Sequence, residues 1–279
     1  MLRYTLLTAL LIITQITLVA QLAITIPCEF ETSEKLLLTW PYNSTFDTTT
    51  AKIAGVANEY ADIDIIYNPD STMFDTTQIR SFLQIMSCDS SNISFVPAYT
   101  NTNLLRQYSP ITGYGVFTDT LERYLGNPGF DNYSRPVDDS LTQQLANYWS
   151  YNYTDYSINF EYSNIQYDGL RYLFVGDRIL SENDTLSEND IRFALNSYFN
   201  SGEVLFLPNP EQSGGGSLNG LENYMKLIDF ETILLSSIPD SLPDYTTIEG
   251  IYDELSSVVN YYGRSFNIEI GRASCRERV

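Results

Sequence analysis

Histidine, the side chain that most often moves protons near neutral pH, occurs at none of the 279 positions. That removes every Ser-His-Asp, Cys-His and His-metal arrangement these residues could build by themselves. The chain has three cysteines, Cys28, Cys88 and Cys275. The abundant functional group is the carboxylate: 35 Asp+Glu face 15 Lys+Arg, a formal charge of −20. Such an excess suits cationic ligands, and equally suits an exported protein kept soluble by charge. No basic cluster is present to neutralise phosphates, which argues against a nucleic-acid partner. The glycine-rich stretch 212–220 (QSGGGSLNG) lacks the lysine of a P-loop and the spacing of a dinucleotide fingerprint, so it reads as a flexible loop. Nothing in the sequence calls for a cofactor or a metal ion.

The elements that must position these groups alternate. Lys35–Trp40, Ile63–Tyr67 and Ile93–Tyr99 read as strands, and between them Asp47–Tyr60 and Thr77–Met86 carry helical spacing. The face of the first helix is expected to be Ile53, Val56 and Ala57; that of the second, Ile79, Phe82, Leu83 and Met86. This β–α–β–α–β rhythm predicts an α/β architecture. Residues 101–134 read as loop-rich, with one strand at Tyr114–Thr118. Asp138–Trp149 reads as a helix. Ile158–Tyr162 and Leu170–Val175 read as a hairpin across Asp168-Gly169. Ser187–Phe199 has a capping box, Ser187 with Asp190, and Gly202 is placed to close it. Val204–Leu207 is a strand, and Met225–Ile228 with Thr232–Leu235 a strand pair. Ile248–Tyr262 is a helix closed by Gly263, and Ser265–Ile270 begins another strand. No Pro/Gly/Ser-rich hinge divides the chain into two domains.

Both ends read as something other than fold. Residues 1–20 have an early cation, Arg3, then an interrupted apolar stretch from Leu6 to Val19, the pattern of a signal peptide; an uncleaved anchor is the alternative. Export and no membrane association after cleavage follow from the first reading. Residues 269–279 (EIGRASCRERV) are the string that adaptor-like codons would encode, and a natural basic tail is the alternative. The two ends carry four cations (Arg3, Arg272, Arg276, Arg278) and two acids (Glu269, Glu277), so the body between them is near −22. In an exported chain Cys28 and Cys88 are either one disulfide or two buried thiols. Sequons stand at Asn43, Asn92, Asn132, Asn152 and Asn183.

Seven segments in order carry a resemblance: IPCEFETSEKLLLTWP (26–41), NTNLLRQYSP (101–110), SRPVDD (134–139), NIQYDG (164–169), LSENDIRFALNSYF (186–199), the strand pair, and YGRSFNIEI (262–270). Together, over residues 24–268, they resemble the agmatine deiminase family, and most closely its Porphyromonas-type peptidylarginine deiminases. The resemblance implies one domain of pentein type, an α/β propeller of ββαβ modules whose last module would be incomplete here. It also implies guanidine hydrolysis: a thiolate attacks the guanidinium carbon, carboxylates hold the cation bidentately, and a histidine serves the leaving ammonia and then water. The substrate would be a cationic guanidino small molecule or an arginine-containing peptide.

The carry-over is uneven. Arg106 and Pro110 match the family pattern, but the guanidinium-clamping aspartate is replaced by Gln107. The family's His-x-Asp falls on Gly220-Leu221-Glu222, with Lys226 matching a downstream lysine. Gly220 therefore stands at the histidine position and Glu222 at the aspartate. Asn164 is kept where Tyr162-Ser163-Asn164 replaces Gly-Gly-Asn. Arg135 matches an arginine that holds a substrate carboxylate, and Tyr133 stands where another arginine would be. The family's nucleophilic cysteine, near its C-terminus, has no counterpart in this chain, and Cys275 does not match it. Each residue also has a plainer role open to it: Glu222 as a loop carboxylate, Arg135 as a structural arginine, Asn164 as a turn-ordering amide, Asp138 and Asp139 as helix N-terminal charge. Three functions stand: a secreted guanidino-group hydrolase that is impaired in this copy, a pseudoenzyme binding a cationic ligand or partner, and an extracellular structural protein.

Overall fold

The computed structural model describes residues 24–40, 44–71, 75–117, 120–129, 135–210 and 220–272. The chain forms a mixed α/β fold of four three-stranded sheets, each taken from consecutive sequence. In the first, β1 (Lys35–Thr39), β2 (Asp62–Tyr67) and β3 (Ile93–Pro97) are parallel, with α1 (Ser44–Ala57) and α2 (Thr76–Ile85) as the crossovers. Apolar runs such as Ile63, Ile65 and Ile66 are what a sheet covered on both faces requires.

The other three sheets repeat one plan: an antiparallel hairpin, a crossover helix, and a third strand parallel to the second. β4 (Ile111–Phe117) and β5 (Thr120–Asn127) precede α5 (Leu141–Trp149) and β6 (Asn152–Asp155). Between β3 and β4 lies a one-turn helix, α3 (Leu105–Tyr108), and before α5 another, α4 (Pro136–Asp139). β7 (Ile165–Tyr167) and β8 (Tyr172–Gly176) precede α6 (Arg178–Glu182), α7 (Glu188–Phe199) and β9 (Glu203–Leu207). β10 (Met225–Leu227) and β11 (Thr232–Ser237) precede α8 (Tyr245–Ser257) and β12 (Asn267–Arg272). Two of the hairpins turn on the same device: Asp168 Oδ1 accepts the backbone N–H groups of Leu170, Arg171 and Tyr172, and Asp229 Oδ1 those of Glu231 and Thr232.

Several expectations need correction. The first sheet, with three parallel strands, follows a different plan from the ββαβ module seen in the other three. Strand β12 begins at Asn267, two residues later than expected, and runs to Arg272. Helix α1 buries Asp47, Ala51 and Ala54 and leaves Ile53 and Val56 exposed, because its small residues let the backbone sit close to the sheet. The region 101–134, read as loop-rich, holds a full hairpin, in which Gly113 and Gly126 are points of close approach. A Cβ at Gly126 would enter the Tyr156 ring, and one at Gly113 would meet Ile24. The hairpin across Asp168-Gly169 begins at Ile165; Tyr162–Asn164 is a 3₁₀ turn. Asn200, at φ 51°, ends α7 rather than Gly202. Helix α8 ends at Ser257, since the buried Asn260 side chain accepts from the Tyr262 and Arg264 N–H groups and draws the chain out of the helix before Gly263.

Cys28 and Cys88 are buried free thiols. Asn183 is buried, with its amide bonded to the Asn159 and Ile179 carbonyls, so it presents no glycan acceptor. Among the described residues no helix is long and apolar enough to cross a membrane. The signal-like residues 1–20, Tyr133, Cys275 and the glycine-rich stretch up to Ser217-Leu218-Asn219 lie outside the described residues.

Candidate functional site

Helix α3 is only four residues long, and it sends neighbouring side chains in different directions, as the ~100° step of a helix requires. Arg106 reaches one charged cluster and Gln107 a second.

In the first cluster the Arg106 Nε donates to Glu222 Oε2 at 2.6 Å, from a residue 116 positions away. An Nη of Arg106 donates to Glu29, whose other oxygen accepts from Lys226 Nζ. The guanidinium lies over the Tyr162 ring, 4.5 Å from its centroid. Glu29 comes from the N-terminal loop, Tyr162 from the 3₁₀ turn before β7, Glu222 from the 3₁₀ turn Leu221–Asn223, and Lys226 from β10. Burial alone lowers the basicity of Arg106, but the negative charge of Glu29 and the bonds to Glu29 and Glu222 outweigh it and hold the group above its ordinary value. Glu222 is shifted up, first because it is desolvated; its bond to Arg106 opposes that shift without cancelling it.

The second cluster is built on Asp138, which is fully buried in α4. One of its oxygens accepts the Asn101 and Thr102 backbone N–H groups at 2.6 and 3.2 Å. The other accepts the Thr102 hydroxyl at 2.9 Å and Arg135 Nε at 2.7 Å. Arg135 Nη1 donates to Gln107 Oε1 at 2.7 Å, and the Arg135 guanidinium stands over the Tyr108 ring. Asp138 therefore does more than complement a helix N-terminus: it ties the 101–102 loop to Arg135.

The six residues singled out by the sequence thus fall into two pairs and a remainder. Arg106 meets Glu222, and Gln107 meets Arg135. Asn164 is buried with its amide on the Gly176 carbonyl and its oxygen accepting from Asn209, so it fastens β7 to the end of β8. Gly220 packs against Ser163: a Cβ built on it would stand 2.7 Å from the Ser163 carbonyl and hydroxyl oxygens and 2.9 Å from its Cβ. No side chain, histidine included, fits at Gly220 while the Tyr162–Asn164 turn stays where it is. Glu29 and Tyr162 were not foreseen as site residues, although Glu29 sits inside the IPCEFE stretch that carries part of the resemblance.

Chemically, the first cluster is a guanidinium held by two carboxylates over an aromatic face, with a lysine balancing the second acid. The guanidinium in that grip is the chain's own. Among the described residues there is no group of three or more His, Cys, Asp or Glu placed to hold a metal ion.

The model of the Porphyromonas-type peptidyl-arginine deiminases matches residues 25–271. The chain belongs to that family. This deiminase-family chain also superposes on an agmatine deiminase of Enterococcus faecalis with a TM-score of 0.71 at 17% identity, covering 88% of this chain and 70% of that one. With an agmatine deiminase of C. jejuni the TM-score is 0.70 at 16% identity, covering 90% and 74%. At such identity these two carry the fold. No curated protein matches the deiminase-family chain significantly in sequence.

Proposed function

We propose that this deiminase-family protein binds guanidino cations, as a small molecule or an arginine side chain of a peptide, without hydrolysing them. The observation that carries the reading is Gly220, which offers neither an acid/base group nor room for one. Gln107 adds to it: its amide is turned to Arg135 and brings no charge to balance a bound cation. Loss of a general acid/base alone lowers a rate by about 10²–10⁴. In keeping with the family's architecture, the four sheets are taken to be modules of an α/β propeller. The signal-like first 20 residues support export. The test pairs citrulline and ammonia release from benzoyl-arginine amide and agmatine with calorimetric binding of the same compounds. Binding without release is expected, and weakened binding in Glu222→Gln; turnover above the buffer blank overturns the reading.

One observation favours a second reading. Because Arg106 already fills the grip of Glu29 and Glu222, the cluster also serves as a brace between the N-terminal loop, α3 and the fourth sheet, as a purely structural protein would use it. Absence of any thermal shift with guanidino compounds would decide for that reading.

A further inference from the structure

A cavity of about 420 Å³ lies away from Arg106, enclosed by the N-terminal loop, the start of β1, the middle of β2, the β4–β5 hairpin and the end of α5. None of Arg106, Glu222, Lys226 or Tyr162 lines it. Its size falls within the range of small-molecule sites. Among its lining residues is Asp64, a carboxylate in the central strand of a parallel sheet, where an apolar residue is the rule; its side chain is 3% exposed. Both Asp64 oxygens face one donor, Lys35 Nζ, at 3.1 and 3.3 Å, and the Lys35 side chain is half exposed.

We infer that this cavity is a binding site for a primary organic ammonium ion with an aromatic or alkyl body. Lys35 is the first argument, because it is itself a primary ammonium on an alkyl stem, seated on Asp64. The Lys35 side chain is half exposed while Asp64 is buried, so a ligand that brings an ammonium together with apolar contact competes with Lys35 for the carboxylate. The walls supply that contact through Leu37, Leu125, Trp149 and Tyr151. Tyr151 already faces a cation, since the Arg123 guanidinium lies 5.7 Å from its ring centroid while paired to Glu34 at the rim. The lining charges decide the sign of the ligand. Asp64, Glu31 and Glu34 oppose Lys35 and Arg123, an excess of one negative charge on a chain already at −20, which selects against anions.

The test is calorimetric titration of the full chain with tyramine, beside 4-ethylphenol and 3-(4-hydroxyphenyl)propionate, which keep the ring but carry no charge or a negative one. Tyramine is expected to bind at least about tenfold more tightly than either. Lys35→Met removes the competing ammonium from an exposed position and is expected to tighten tyramine by about tenfold while leaving 4-ethylphenol unchanged. Asp64→Asn is expected to abolish the preference for tyramine. Equal affinity for tyramine and 4-ethylphenol, or unchanged or weaker tyramine binding in Lys35→Met, overturns the assignment. None of these probes carries a guanidine, so the result is independent of the guanidino-binding reading.

Discussion

Placing a single methyl group at position 220 probes the packing on which the non-hydrolytic reading proposed above rests. At Gly220 the backbone has φ −72° and ψ 150°, which alanine adopts freely, so Gly220→Ala gains about 0.4–1 kcal/mol from the unfolded chain. Against this, the new Cβ meets a carbonyl oxygen and a hydroxyl at 2.7 Å and a carbon at 2.9 Å. The struck turn cannot easily yield, since Asn164 is pinned to Gly176 and Asn209. Overpacking costs about 1–3 kcal/mol, and a clash with backbone belongs at the upper end. The net is a loss of about 2 kcal/mol, a fall in Tm of about 4–8 °C for a chain of this size. Ser163→Gly removes two of the three contacts, so in that background Gly220→Ala should cost about 1 kcal/mol less. Urea melts of the wild type, both single variants and the double variant close the cycle. If Gly220→Ala is as stable as the wild type, or the two substitutions are additive, the packing argument fails, and with it the exclusion of histidine from this position.

Asp138→Asn leaves the shape of the second cluster but strips the charge that faces Arg135, and a loss of about 3–5 kcal/mol in urea melts is expected; a change below about 1 kcal/mol would make the cluster ornamental. Cys28 is buried and donates its thiol to Glu31 at 3.2 Å, which pushes its pKa up to about 12. Native protein at pH 8 should therefore resist iodoacetamide at Cys28 and react only once unfolded. Because the folded value lies above the unfolded one, the thiol's contribution to stability is complete below about pH 9 and is lost as pH rises towards 12; Cys28→Ala should lose that alkaline slope. Glu222 is raised for the same reason, burial, so its contribution is greatest below the ordinary carboxylate value and is lost as pH rises through its higher folded value. Glu222→Gln should flatten the stability–pH curve in that window, and an unchanged curve would count against the shift.

Much of the fold was legible because local chemistry and tertiary structure agree. The apolar runs of β1, β2 and β3, and the Ser187–Asp190 cap, are properties of a few adjacent residues that burial then rewards. Where they disagree, the sequence misleads. Helix α1 buries alanines rather than its Ile and Val, and the glycines of β4 and β5 mark contact with Ile24 and Tyr156, which lie far off in sequence. The 258–264 segment leaves its helix because of one buried side chain, Asn260. The site divides in the same way. Motif order singled out Arg106, Gln107, Arg135 and Glu222, but the bond between Arg106 and Glu222 spans 116 residues and has no local signature. Glu29 escaped notice because an acid in an acidic chain carries no signal until its partners, Arg106 and Lys226, are known.

Some of the apolar clusters cross the boundaries between sheets. Tyr172, Phe174 and Leu207 belong to β8 and β9, yet pack with Leu227, Ile233, Ile251 and Phe266 of the fourth unit. Ile66, Val96 and Ala98 of the first unit pack likewise with Leu125, Leu141 and Leu145 of the second. A repeat whose residues complete its neighbour's core has no private unfolding transition. Hydrogen exchange in β8 should then follow opening of the third and fourth units together, while the first unit keeps a cluster of its own around Ile63, Ile65, Ile79 and Leu83.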